Sequence, residues 1–144
     1  MLSRNINILN DDREKVELYF SCRKLLNKDT FSKTDPQLFI SYRTQKNKPY
    51  AQIHTTELIS DNLNPDFTRS LVVDFIFEMH QFFKIECRDV DNDSGTSYDP
   101  LGTCEFELGE LMGSRNNMVL MDLMCKFLRI FGAFGQEMRF CLHD

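Results

Sequence analysis

The chain has 144 residues, of which 42% are hydrophobic and 27% charged, and it carries a formal net charge of −5. That length holds a single domain with a real core, the composition is that of a soluble globular chain rather than a disordered one, and the acidic balance argues against general nucleic-acid binding. No apolar run approaches the roughly 20 residues of a membrane span, and the opening MLSRNINILNDDREK has no apolar stretch followed by small residues of the kind a signal peptide needs.

Residues 1–14 are polar and read as a loose leader. VELYFSC (16–22) then alternates, with Val16, Leu18, Phe20 and Cys22 on one side and Glu17, Tyr19 and Ser21 on the other, which predicts a half-buried strand. LLNKDTFSKTDP is crowded with Asn, Asp, Ser, Thr and Pro and reads as a loop. QLFISYRT (37–44) alternates again, TQKNKP is a basic turn, and YAQIHTTEL (50–58) is a third strand. ISDNLNPDF is a turn through its Asn-Pro pair. SLVVDFIFEM (70–79) and FFKIECRDV (82–90) are strands rich in β-branched and aromatic residues. RDVDNDSGTSYDPLG follows as an acidic loop, and LGTCEFELGELM (101–112) carries a sixth strand. Beyond it, the run MVLMDLMCKFLRIFGAFGQEMRFCLHD is so dense in Met, Leu and Phe that strand and helix are not separable by periodicity, with EMRFCLHD as a candidate closing strand. Short strands at regular spacing with turns between them predict an antiparallel sandwich or barrel.

The five cysteines, Cys22, Cys87, Cys104, Cys125 and Cys141, show no CxxC spacing, so they read as reduced thiols that pack as small hydrophobes. The histidines are far apart, no nucleotide-binding glycine pattern occurs, and no Ser/His/Asp or Cys/His set has the spacing of a nucleophile. The chain is therefore not expected to be an enzyme.

What stands out is acidic. Asp89, Asp91, Asp93 and Asp99 fall in one short loop. Like charges at that density repel unless a cation neutralises them, and Ca²⁺, which takes about six to eight oxygen ligands, suits carboxylates. An EF-hand is excluded, because its sixth position wants Gly and its twelfth Glu, whereas counting from Asp89 these are Ser94 and Pro100. A second loop carries Asp29 and Asp35, the latter followed by Pro36 and a strand. Loops of a sandwich cluster at its two ends. If both acidic loops share an end, Asp29, Asp35, Asp89, Asp91 and Asp99 converge, and the alternation of an extended chain puts Asp89 and Asp91 on one side.

The order of these motifs resembles the C2 domain. DTFSKTDP is similar to its first Ca²⁺ loop, NLNPDF to the segment before its next strand, and DVDNDSGTSYDPLG to its last Ca²⁺ loop. More specifically, VELYFSCRKLLNKDTFSKTDPQLFI, TELISDNLNPDF and VVDFIFE resemble the first C2 domain of the copine family, over roughly residues 15 to 112. The resemblance implies an all-β, eight-stranded antiparallel sandwich of Greek-key topology over residues 15–124, with 125–144 left open as a last strand or a tail. It implies Ca²⁺ held by Asp29, Asp35, Asp89, Asp91 and Asp99. It further implies Ca²⁺-dependent binding to anionic phospholipid, phosphatidylserine above all, on a cytoplasmic module recruited to the plasma membrane or other anionic membranes in signalling or membrane trafficking. Phe31 and Tyr98 are the aromatic candidates for lipid contact, and Lys46 and Lys48, beside Arg43, are the cationic candidates for phosphoinositide headgroups. The span from Asp89 to Asp99 is two residues longer than in the commonest C2 loops, which leaves Asp93, Ser94 and Ser97 as further candidate ligands. The competing reading is a Ca²⁺-independent protein-interaction module on the same sandwich.

Overall fold

The structure, a computed structural model, describes residues 13–27, 33–91, 96–113, 118–122 and 137–143, the last two segments by their backbone. Among the described residues the strands are β1 (Arg13–Arg23), β2 (Pro36–Arg43), β3 (Ala51–Thr55), β4 (Leu71–Ile76), β5 (Phe82–Val90), β6 (Tyr98–Glu107), β7 (Met118–Asp122) and β8 (Glu137–His143), with a short helix, α1 (Leu108–Met112), after β6. They form two antiparallel four-stranded sheets, ordered β4-β1-β8-β7 and β3-β2-β5-β6. Of the sandwich and the barrel that the alternation predicts, the chain forms the sandwich.

The period-two pattern explains why these segments pair. Val16, Leu18, Phe20 and Cys22 of β1 face inward, as do Leu38 and Ile40 of β2 and Phe83, Ile85 and Cys87 of β5. Phe83 is fully buried, stacked on Phe106 with ring centroids 5.2 Å apart, and tilted against Tyr42 at 4.9 Å. Burying a side chain of that size stabilises by about 1.5–3 kcal/mol. Cys22, Cys87 and Cys104 are buried free thiols. A hydrogen bond with Cys22, together with full burial, holds the Cys87 thiol far above the ordinary range, and burial raises Cys104 as well.

The Met-rich tail, ambiguous by periodicity, contributes β7 and β8, and β8 lies between β1 and β7. β6 begins at Tyr98, earlier than the run LGTCEFELGELM suggests, so Asp99 and Pro100 belong to the strand. The β4–β5 turn is organised by Gln81, which is only 2% exposed. Its Nε2 donates to the Asp74 carbonyl (2.7 Å) and to the Tyr42 hydroxyl (3.1 Å), and its Oε1 accepts from the Ile76 amide (2.9 Å).

The β3–β4 connection is pinned by Glu57, whose carboxylate accepts from the Thr68 amide and hydroxyl (both 2.7 Å) and the Arg69 amide (3.1 Å). Partial burial would raise this carboxyl, but those hydrogen bonds outweigh it and hold it below the usual range. His54 of β3 lies beside Phe20, with ring centroids 6.5 Å apart. Desolvation there lowers its pKa despite a hydrogen-bond contact with the Arg69 carbonyl. The folded chain thus favours neutral His54, while the unfolded chain takes up the proton more readily. Stability from this site is complete above the unfolded value of about 6.5 and declines as pH falls below it. Melting temperature should therefore drop between about pH 7 and pH 5, and His54→Gln should flatten part of that slope. An identical slope in the variant would remove His54 from the account.

Candidate metal centre

Strand polarity decides where the acidic residues meet. β2 starts, and antiparallel β5 ends, at the same end of the sandwich, with Pro36 opposite Asp89. β6 starts there too, with Asp99 opposite Asp89 and Tyr98 opposite Val90. Asp35, Asp89 and Asp99 therefore sit side by side on three adjacent strand ends. One carboxylate oxygen from each of Asp89, Asp91 and Asp99 lies within 4.8 Å of the other two.

The backbone around them is tightly tied. Asp89 is 2% exposed, and its Oδ1 accepts from the Asp35 amide at 3.0 Å. The Val90 amide donates back to the Asp35 carbonyl at 3.0 Å. Asp35 Oδ1 accepts from the amide of Asp61 at 2.8 Å, a residue in the left-handed region with φ 53°. On the other side of the centre, the Asp91 amide donates to the Ser97 carbonyl at 2.7 Å, and the Ser97 hydroxyl lies 3.4 Å from Asp91 Oδ2.

These residues fit a hard divalent cation. Two oxygens bound to one Ca²⁺ at its usual distance can be no more than about 5 Å apart, and the three carboxylates meet that condition. All the donors are oxygens, which excludes a soft-metal thiolate site here.

Of the five aspartates expected from sequence, the structure brings Asp89, Asp91 and Asp99 into one cluster and holds Asp35 against Asp89. Asp29, Phe31, Asp93 and Ser94 lie outside the described residues. Tyr98 is half-buried, with its ring stacked on the guanidinium of Arg88. Lys46 and Lys48 are elsewhere. They sit in the turn after β2, whose eight residues separate them from Asp35 by about 26 Å. There Lys46 Nζ lies over Phe82 at 5.5 Å, and Arg43 stacks on Tyr50 at 4.1 Å while donating to the Lys48 carbonyl. The cationic turn and the acidic centre thus occupy opposite ends of the sandwich.

NLNPDF is a brace beside β1. The amides of Cys22 and Leu25 donate to the carbonyls of Pro65 and Leu63, and Arg23 pairs with Asp66 at 2.8 Å. Asn64 Oδ1 accepts from the Lys24 amide at 3.0 Å, which supports the left-handed Lys24, φ 59°. Sequence reasoning passed over Asp61, because its part is played by a backbone amide. It also passed over Arg88, whose ring contacts are cross-strand.

The comparisons agree with this geometry. The C2 domain family matches residues 16–123. Copine-E of Dictyostelium discoideum is 38% identical over 118 residues, covering 77% of this chain and 20% of its own length, so the chain spans about a fifth of that relative. Among solved structures, a C2 domain of plant Extended Synaptotagmin 1 superposes with a TM-score of 0.65 at 17% identity, covering 90% of this chain and 94% of that one. The calcium-bound pair of C2 domains of Extended-Synaptotagmin 2 gives 0.62 at 20% identity, covering 89% of this chain and 45% of that one. A family match over most of the length, carried on a two-sheet sandwich with acidic residues gathered at one end, makes this chain a member of the C2 domain family, with curated relatives among the copines.

Proposed function

We propose that this chain is a Ca²⁺-dependent module for anionic phospholipid, acting from the cytoplasm on membranes such as the plasma membrane. The observation that carries this reading is the convergence of Asp89, Asp91 and Asp99 at one sandwich end, with Asp35 beside them. Asp35, Asp89, Asp91 and Asp99 would hold the ion, and Asp29 is assigned with them from its place in the first loop. Bound Ca²⁺ supplies positive charge and open coordination positions for lipid oxygens. Without it, the clustered carboxylates repel an anionic surface. Phe31, in that same loop, is assigned to insert into the interface. Tyr98, engaged with Arg88, would contribute at the rim. Lys46 and Lys48, at the other end, would touch phosphoinositide only in an orientation that lays the sheet along the bilayer. A calcium-bound C2 structure among the fold neighbours supports the choice of metal.

The test is co-sedimentation with phosphatidylserine vesicles. Pelleting in Ca²⁺ that disappears in chelator is the expected result. Equal pelleting in both sinks the Ca²⁺ dependence. A folded protein that never pellets favours the protein-interaction module.

A further inference from the structure

The guanidinium of Arg88 is held between two aromatic faces, 3.9 Å from the centroid of Phe39 and 4.0 Å from that of Tyr98. Its Nε and Nη2 both contact Glu86 Oε1, at 2.9 and 2.7 Å. The three stacked groups come from β2, β5 and β6, the strands whose ends carry Asp35, Asp89 and Asp99. Two of them adjoin the cluster directly: Arg88 precedes Asp89, and Tyr98 precedes Asp99.

The stack sits at an irregularity of the β5–β6 ladder. The β5–β6 register slips between Cys87, opposite Gly102, and Arg88, opposite Pro100. Such a bulge interrupts the hydrogen-bond ladder locally and sharpens the twist, before pairing resumes with Asp89 opposite Asp99 and Val90 opposite Tyr98. Phe39–Arg88–Tyr98 bridges the outer face at that break.

We infer that this stack is a positioning device for the metal centre: it fixes the spacing of the strand ends so that the carboxylates are already gathered before the ion arrives. The inference rests on the Ca²⁺-binding reading above. Because Glu86 neutralises the guanidinium, its contribution is geometric rather than that of a free charge. Planarity and ring faces matter, and the Tyr98 hydroxyl does not.

Calcium titration calorimetry on the chain, with melting temperature in chelator recorded alongside, tests this. Tyr98→Phe should bind Ca²⁺ within about twofold of wild type, because a phenyl face keeps the cation–π contact. Tyr98→Leu and Phe39→Leu, which keep apolar bulk but lose the face, should bind about tenfold more weakly, the lower end of the effect of altering groups behind metal ligands. Arg88→Lys, which keeps the charge and loses the plane, should weaken binding similarly and serves if a leucine variant fails to fold. Wild-type affinity in Tyr98→Leu or Arg88→Lys, or equal loss in Tyr98→Phe and Tyr98→Leu, overturns the inference. A lower melting temperature in chelator with unchanged affinity reduces the stack to ordinary packing and overturns it too. No Ca²⁺ binding by the wild type defeats the underlying reading, and the inference with it.

Discussion

Asp91→Asn should abolish Ca²⁺-dependent pelleting with phosphatidylserine vesicles and, at the same time, raise the melting temperature measured in chelator. Both effects come from one arrangement. Asp91 is exposed, and its carboxylate lies within 4.8 Å of those of Asp89 and Asp99. The amide of asparagine keeps the volume and a carbonyl oxygen but removes a charge that a divalent cation needs. Without the cation, removing that charge relieves repulsion among close carboxylates, although water screens an exposed group. The gain should be about 2–4 °C. Such a trade is expected of a binding site, whose groups are placed for the ligand rather than for the empty fold. Differential scanning fluorimetry with and without Ca²⁺ reads both halves. A variant whose melting temperature still climbs on adding Ca²⁺ would remove Asp91 from the centre. Asp89→Asn should behave differently in chelator, because buried Asp89 also accepts the Asp35 amide.

The largest effect on stability should come from a glutamine. Gln81→Leu keeps the size and removes its three side-chain hydrogen bonds, to Ile76, Asp74 and Tyr42. Gln81 is buried, so no water takes its place without rearrangement. Net hydrogen bonds contribute about 0.5–1.5 kcal/mol each, and groups left without partners cost more. A loss of about 2–4 kcal/mol in urea or guanidinium unfolding is therefore expected. Its side-chain amide behaves as one peptide unit of a strand that is not there, satisfying β4 on its outer edge. An m-value unchanged and a midpoint within experimental error of wild type would show that the contacts are incidental.

The strands were legible because burial on one face imposes period two, and β1, β2 and β5 keep it almost without exception. The acidic centre was legible for a related reason: Asp89-x-Asp91 and Asp35-Pro36 are local patterns at strand ends. What resisted reading was either non-local or non-periodic. The residues from Met118 onward are apolar on too many successive positions for either period to prevail, so β7 and β8 are set by pairing with β1 and with each other. Gln81 looks like a solvated turn residue in sequence, and its contact with Tyr42 depends on β2 arriving from elsewhere in the chain. Lys46 and Lys48 look like part of the same lipid surface as the aspartates until strand direction is known. The Arg88 stack needs three strands in register before it is complete.

The pairing of β1 with β8 has a temporal consequence. Leu18 lies opposite Leu142, and Arg23 opposite Glu137, so the first strand finds one of its two neighbours only at the far end of the sequence. Closing so long a loop costs entropy before any contact rewards it, and such topologies fold slowly. On the ribosome, β1 must wait, half-paired, until residues 137–143 have left the exit tunnel, whereas β2, β5 and β6 are already complete. The sheet that bears the acidic centre can thus assemble first, and the other sheet is finished only when β8 arrives.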